Sequence, residues 1–488
     1  MKAEKSSIKK NILYQTIYEI LMIILPFVTS PYIARVIGAE GLGIYSYSHS
    51  VAYYFVLFSM MGIKNYGNRA VAQSRDDDSK LNRTFSNILF LHIAISVICL
   101  MAYVGYILWL KEERIYAIIQ GAYVLSALFD ISWFYFGIEK FKFTVTRNSI
   151  IKIINVILVF ALVRKAEDLW IYCVIMAVGT LVSQLVLWVP LKKYVKIERP
   201  QWEQMKVHVK PMLILFIPAI AVSLYKYMDK IMIGGMSSRT QLGYYENAEK
   251  INSVPITIIG AFGTVMLPKM SNLVSKNDRT ATNKYISTSM QFIMCLSLAL
   301  AFGLAGVGEI FAPIFWGKSF ATSGTIIKWL SVTVPFITFA NIIRTQYLIP
   351  THKDKEYMFS VVAGAIVNLA INALLIPQYG AMGATVGTIA AEIAVCLIQA
   401  FAVRRELPIK AYIKSFWQFM VFAALMFAGV YVIGLRLGVR AYTLAVQVIF
   451  GGVIYGILVF VYFVKTKNET FINAANKILG KFNIKLNK

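Results

Sequence analysis

The sequence predicts an all-α polytopic membrane protein of about fourteen transmembrane helices, two parallel six-helix lobes plus two C-terminal helices. Three observations carry this. Of 488 residues, 58% are hydrophobic, only 15% are charged, and mean hydropathy is +0.64; a soluble domain has roughly 25% charged residues. Apolar stretches of bilayer-crossing length recur from residue 11 to residue 464. Segments of the first half also recur, in order, in the second. The alternation in roughly ten-residue units that marks a β-barrel is not visible.

The spans are expected near 11–37, 42–63, 84–110, 114–136, 144–163, 169–191, 209–235, 241–267, 285–307, 322–349, 356–376, 380–402, 412–434 and 441–464. MKAEKSSIKK leads into an apolar run that continues to about Ile37. That is longer than a signal-peptide core and reads as an uncleaved first helix. The amino-terminal segment, alternate loops and tail hold about 34 of the 49 basic residues, and the opposite loops about 9, which predicts cytoplasmic termini. The net charge of +25 therefore reflects topology. No basic module stands apart from the apolar segments, which argues against a nucleic-acid partner. The basic tail, 465–488, is expected to hold an amphipathic surface helix.

GAEGLGIYSYSHS (38–50) aligns with SSRTQLGYYENAEK (237–250), placing Leu42, Gly43 and Tyr45 opposite Leu242, Gly243 and Tyr245 at a constant offset of 200. SRDDDSKLNRTFS (74–86) resembles SKNDRTATNKYIS (275–287) at 201, and Lys142 and Asn155 match Lys355 and Asn368 at 213. About six helices separate the copies, so the halves share one orientation, and a substrate site is expected between them. The domains are accordingly 1–200, 201–405, two additional helices over 406–464, and the tail.

Charge inside a span costs about 2.5–3.5 kcal/mol on insertion scales and usually faces an interior or a water-filled cavity. Glu19, Arg35, Asp130, Lys152, Lys226, Asp229, Lys230, Glu246, Glu249, Lys250, Lys328, Arg344 and Glu392 all fall in or near spans. In VSLYKYMDKIMIGG (223–236), Lys226, Asp229 and Lys230 project to one side of a helix, and one carboxylate cannot neutralise two lysines. Glu246 and Lys250, four apart, can pair on the next helix, with Glu249 beside them. Arg35 lies at a similar depth in the first half. Arg344 joins these as a candidate cation. Two readings stand: long side chains reaching out to headgroups, or a cationic substrate-facing cavity. Asp229 favours the second, since a carboxylate gains nothing from lipid.

Pro26, Pro31, Pro218, Pro255 and Pro335 lie within spans and suit kinked elements. Gly380, Gly383 and Gly387 permit close helix contact. Cys99, Cys173, Cys295 and Cys396 read as small buried hydrophobes; they and the scattered His49, His92, His208 and His352 show no metal-ligand spacing. The phosphate-cradling GxxxxGK[ST] pattern is absent. The longest outer loop, near GVGEIFAPIFWGKSF, is about 15 residues by the span assignment. That leaves no room for a catalytic domain, so neither an enzyme nor a cofactor is expected.

PYIARVIGAEGLGIYSY (31–47), WFYFGIEKFKFTVTRNSIIKI (133–153), MDKIMIGGMSSRTQLGYYENAEKI (228–251) and NLAINALLIPQYGAMGATVGTIAAE (368–392) resemble the Wzx-type polysaccharide flippases of the multidrug/oligosaccharidyl-lipid/polysaccharide exporter superfamily. The resemblance covers about 1–405. It implies two lobes around a cationic cavity in a bacterial inner membrane. It implies alternating-access transport of an undecaprenyl-diphosphate-linked oligosaccharide for capsule, exopolysaccharide or O-antigen synthesis. Coupling to an H+ or Na+ gradient, and polymerase and chain-length partners, belong to the same expectation. A lipid II flippase or a drug/cation antiporter of the superfamily is the alternative. The lysine pair speaks against a cation exporter, and the short outer loops against a membrane glycosyltransferase or polymerase.

Overall fold

The computed structural model describes residues 8–479, with side chains over most of 24–476. Glu19 and the extreme basic ends fall outside the residues so described. Every regular element among the described residues is helical. Among the described residues, eleven helices are long and apolar enough to cross a membrane. A pair bent by 41°, Lys318–Leu330 with Thr333–Leu348, would make a twelfth. The expected spans 11–37 and 42–63 fall on one helix, Ile8–Met60, the second of them running past its end. This is a multi-pass membrane protein.

The chain forms two compact units, Met1–Glu246 with Asn372–Ala384, and Asn247–Ile371 with Thr385–Lys488. In the first unit, α1 (Ile8–Met60) runs through Pro26 and Pro31 and breaks at Gly38. There φ is 71° and ψ −179°, and a Cβ would meet nothing. The backbone angle, not space, makes glycine the residue for that kink. The helices α2 (Ile63–Ser74), α3 (Asp78–Trp109), α4 (Arg114–Leu128), α5 (Ser132–Gly137), α6 (Phe141–Leu162), α7 (Leu169–Val186) and α8 (Trp202–Ser223) follow, then α9 (Asp229–Met236) and the start of α10 (Arg239–Ser275).

The motif WFYFG is the centre of this unit's core. Trp133, Phe134 and Tyr135 are fully buried, and Trp133 stacks on Phe85 with ring centroids 5.5 Å apart. The break between α4 and α5 and the end of α7 free backbone groups in apolar surroundings, where each must find a partner. Trp188 Nε1 donates to the Phe129 carbonyl at 2.9 Å, the Ser132 amide to Asp130 at 2.9 Å, and Tyr135 to the Leu187 carbonyl at 2.6 Å.

The second unit takes the rest of α10, α11 (Arg279–Phe315), α12 (Ala321–Leu330), α13 (Thr333–Ile343), most of α14 (Asp354–Tyr379) and α15 (Ala381–Val403), α16 (Ile409–Leu437), α17 (Ala441–Lys465) and α18 (Glu469–Leu479). Phe419, Ala423, Met426 and Val430 of α16 pack between α11 and α17. Gln447, buried on α17, donates to the Val430 carbonyl at 2.8 Å. The expected tail helix is α18: Phe471 stacks on Phe463 at 4.8 Å and Ile472 is 1% exposed, so its apolar face is buried on the bundle. The matched 74–86 and 275–287 segments do one job. Asp77 caps α3 and Asp278 caps α11 at the offset of 201, each carboxylate accepting from first-turn amides, worth about 1 kcal/mol.

Candidate functional site

The matched LGxY segments meet within the first unit. A Cβ on Gly43 would collide with the Arg239 carbonyl, and one on Gly243 with the Ala39 carbonyl. Both partners, like the glycines themselves, are related by the offset of 200. Ser46 Oγ donates to Glu246 at 2.8 Å across the same offset. Small residues let backbones approach this closely.

Around this crossing lie several of the expected site residues. The helix α8 continues into a π turn, Leu224–Met228, and then α9. Lys226 sits in that turn with its side chain exposed. Asp229, one turn on, is 3% exposed and accepts from Tyr245 at 2.9 Å and from Asn372 Nδ2 at 2.6 Å. It faces protein rather than lipid. Lys230 pairs with Glu246 at 2.7 Å, their side chains only 13% and 15% exposed. Glu246 therefore reaches back to α9, and its carboxylate, the second in the cluster after Asp229, offsets the positive excess expected of Lys226 and Lys230. Among the described residues, Lys226 has no ion-pair partner. Tyr227 stacks on Tyr53 at 3.7 Å and lies 5.7 Å from the Lys230 ammonium. Arg35 is exposed on α1, three residues before the Gly38 kink.

Glu249, Lys250 and Arg344 belong to the second unit. The first two are half-buried on α10. Arg344 is half-buried at the head of a second π turn, Arg344–Leu348, 5.7 Å from the Tyr357 ring. Lys226 and Arg344 thus share a local geometry, and π turns within helices recur at functional positions.

Sequence reasoning missed Arg239. Its Nε lies 3.0 Å from both oxygens of Glu113, its guanidinium stacks 3.6 Å from the Tyr47 ring, and it donates to the Gly234 carbonyl. The partners lie 126 residues apart, so no local pattern marks the pair. No group of three or more metal-ligating side chains occurs among the described residues.

Such an arrangement offers fixed charges and aromatic faces. The family model described as "Polysaccharide biosynthesis protein" matches residues 8–274. A protein of Shigella dysenteriae named "Putative O-antigen transporter" is 24% identical over 400 residues, 81% of this chain and 100% of that one. One of the same name from Escherichia coli (strain K12) is 21% identical over 414 residues, 83% of this chain and 99% of the relative. The solved structure described as "Lipid II flippase MurJ, inward closed conformation" superposes with a TM-score of 0.77 at 16% identity, covering 94% of this chain and 100% of that chain, a likeness of fold. The chain belongs to the polysaccharide biosynthesis protein family, the Wzx-type flippases that its motifs resemble.

Proposed function

We propose that the protein flips an undecaprenyl-diphosphate-linked oligosaccharide repeat unit from the cytoplasmic to the outer leaflet of a bacterial inner membrane. The product feeds O-antigen, capsule or exopolysaccharide assembly. The observation that carries this is the match to two O-antigen transporters over nearly their whole lengths. A diphosphate needs fixed positive charge in a low-dielectric setting. Arg35, Lys226, Lys230 and Arg344 are the cations we assign to it. Asp229, Glu246 and Glu249 hold or balance them, and Lys250 is a further cation of the set.

The reading includes alternating access, cytoplasmic termini, lobes over 1–200 and 201–405, and handover to polymerase and chain-length proteins. Coupling to an H+ or Na+ gradient is part of it. A buried carboxylate is an ordinary means of such coupling in transporters, which nominates Asp229. A lipid II flippase is the second reading, supported by the fold likeness and by sequence matches over less than half of the chain.

Gene deletion in a host without a substitute flippase is the test. Lipid-linked repeat units should collect at the cytoplasmic face while surface glycan is lost. Normal surface glycan would end the proposal, and lethal loss of cell-wall synthesis would transfer it to lipid II. Lys226→Ala, Lys230→Ala and Arg35→Ala should each impair export with membrane insertion intact. Wild-type export in all three would remove these cations from the substrate site.

A further inference from the structure

We infer that a polar crevice between α3 and α8 is a binding site for a phosphoryl anion at the membrane surface, held by Lys80 and Arg83. The crevice encloses about 470 Å3 and is lined among others by Asp77, Lys80, Arg83, Asn87, Gln204 and His208. That volume lies within the about 300–1,000 Å3 of small-molecule sites. It is separate from the residues assigned to the flipped substrate and does not rest on that reading.

The walls are built. Asn87, 3% exposed, donates to Gln204 at 3.3 Å and joins α3 to α8. Tyr66 and His208 share a 2.6 Å hydrogen bond. The connector before α8 is pinned to α3, the Lys196 amide donating to Asn82 at 2.8 Å and the Glu198 amide to Ser86 at 2.8 Å.

The charge balance favours an anion. Lys80 and Arg83, three residues apart, project from one side of α3's first turns. Neither has an ion-pair partner among the described residues. Asp77, the acid in the lining, already accepts from the amides of Ser79 and Lys80. The helix terminus is therefore capped, and the basic pair, not the helix dipole, supplies the field. In the matched segment of the second half, Ala281 stands where Lys80 stands in the first, so the repeat does not require this pair.

The crevice opens where two spans begin. Trp202 and Val207 on α8 are each 67% exposed, as befits a helix entering lipid at that level. Basic pockets between spans take phosphorylated lipid headgroups. The same donors would accept free phosphate.

The test uses the full-length protein in detergent with two probes: phosphatidylglycerol against a phosphatidylcholine control, and inorganic phosphate alone. Native mass spectrometry reads bound ligand. Wild type should retain phosphatidylglycerol over phosphatidylcholine. Lys80→Gln with Arg83→Gln should weaken that by about tenfold or more, at roughly 1 kcal/mol per basic residue. Lys80→Arg with Arg83→Lys should retain binding. So should Lys206→Gln, whose lysine pairs with Glu203. Retention of phosphate alone, lost in the Gln pair, would assign the site to free phosphate. No preference for either probe, or equal binding by the Gln pair, overturns the inference.

Discussion

Gly43 and Gly243 each press against the backbone of the other's segment, Gly43 on Arg239 and Gly243 on Ala39. The reciprocity is what an internal repeat produces when matched positions face one another across an axis. It fixes why both copies of LGxY keep glycine: a methyl group at either position has only a carbonyl to displace.

Gly43→Ala and Gly243→Ala should therefore act alike. Overpacking costs about 1–3 kcal/mol where the neighbour is backbone, enough to shift the crossing and carry Ser46 away from Glu246. Both variants should lower the thermal midpoint in detergent and cut export severalfold. Gly235→Ala, whose Cβ would meet nothing within 4 Å, serves as control. Wild-type melting in both crossing variants would refute the close approach.

The ion pair of Lys230 and Glu246 separates structure from transport. Removing one partner of a largely enclosed pair costs up to about 3–5 kcal/mol, because the other charge loses its counter-charge. Glu246→Ala should therefore destabilise strongly, and so should Lys230→Ala. The double variant should recover most of the stability. If Lys230 contacts substrate, the recovered protein stays inactive in export. If the lysine only balances Glu246, export returns with the melting temperature. A double-mutant cycle read by both assays distinguishes the two outcomes.

Much of this was legible in the sequence, and the omissions have physical causes. Span positions follow from apolar length, which is local, so most expected ranges fall on long apolar helices, while the breaks within them, as at Gly38 and between α12 and α13, depend on packing. The offset of 200 was legible because glycine at Gly43 and Gly243 is demanded by contact. The role of WFYFG was not: aromatic residues read alike whether they form a core, as Trp133 does, or line a ligand. The pairing of Lys230 with Glu246 rather than an isolated lysine cluster needed the tertiary turn between α9 and α10. The π turns holding Lys226 and Arg344 have no composition signal, since they depend on how neighbouring helices pack.

A pH response is expected at the loop between α15 and α16. Glu406 accepts from Lys353 and, at 2.6 Å, from Tyr347. These hydrogen bonds, that from Lys353 first, hold its carboxyl below the usual range. A depressed folded pKa means the link stabilises fully above the unfolded value, near about 4.3, and is lost as pH falls through the folded value. The Glu406 side chain is 40% exposed, so solvent screening keeps the effect under about 1 kcal/mol. Wild type should melt slightly above Glu406→Gln at neutral pH, and the gap should close on acidification. A gap independent of pH would show that the carboxylate charge contributes nothing.

The packing of α2 on α5 gives the last prediction. A Cβ on Gly67 would lie 2.6 Å from the Trp133 ring, and Trp133 is fully enclosed by Phe85 and its neighbours. The indole has no free space to yield, so Gly67→Ala should cost about 1–3 kcal/mol. Trp133→Ala should cost about 3–5 kcal/mol by opening a cavity. The two changes are coupled because the added methyl occupies part of the space the indole leaves. The combination should therefore be less destabilising than the sum of the single variants. Thermal melts of the purified protein test this. Strict additivity would mean that Gly67 and Trp133 do not constrain one another, and that the glycine is kept for backbone reasons alone.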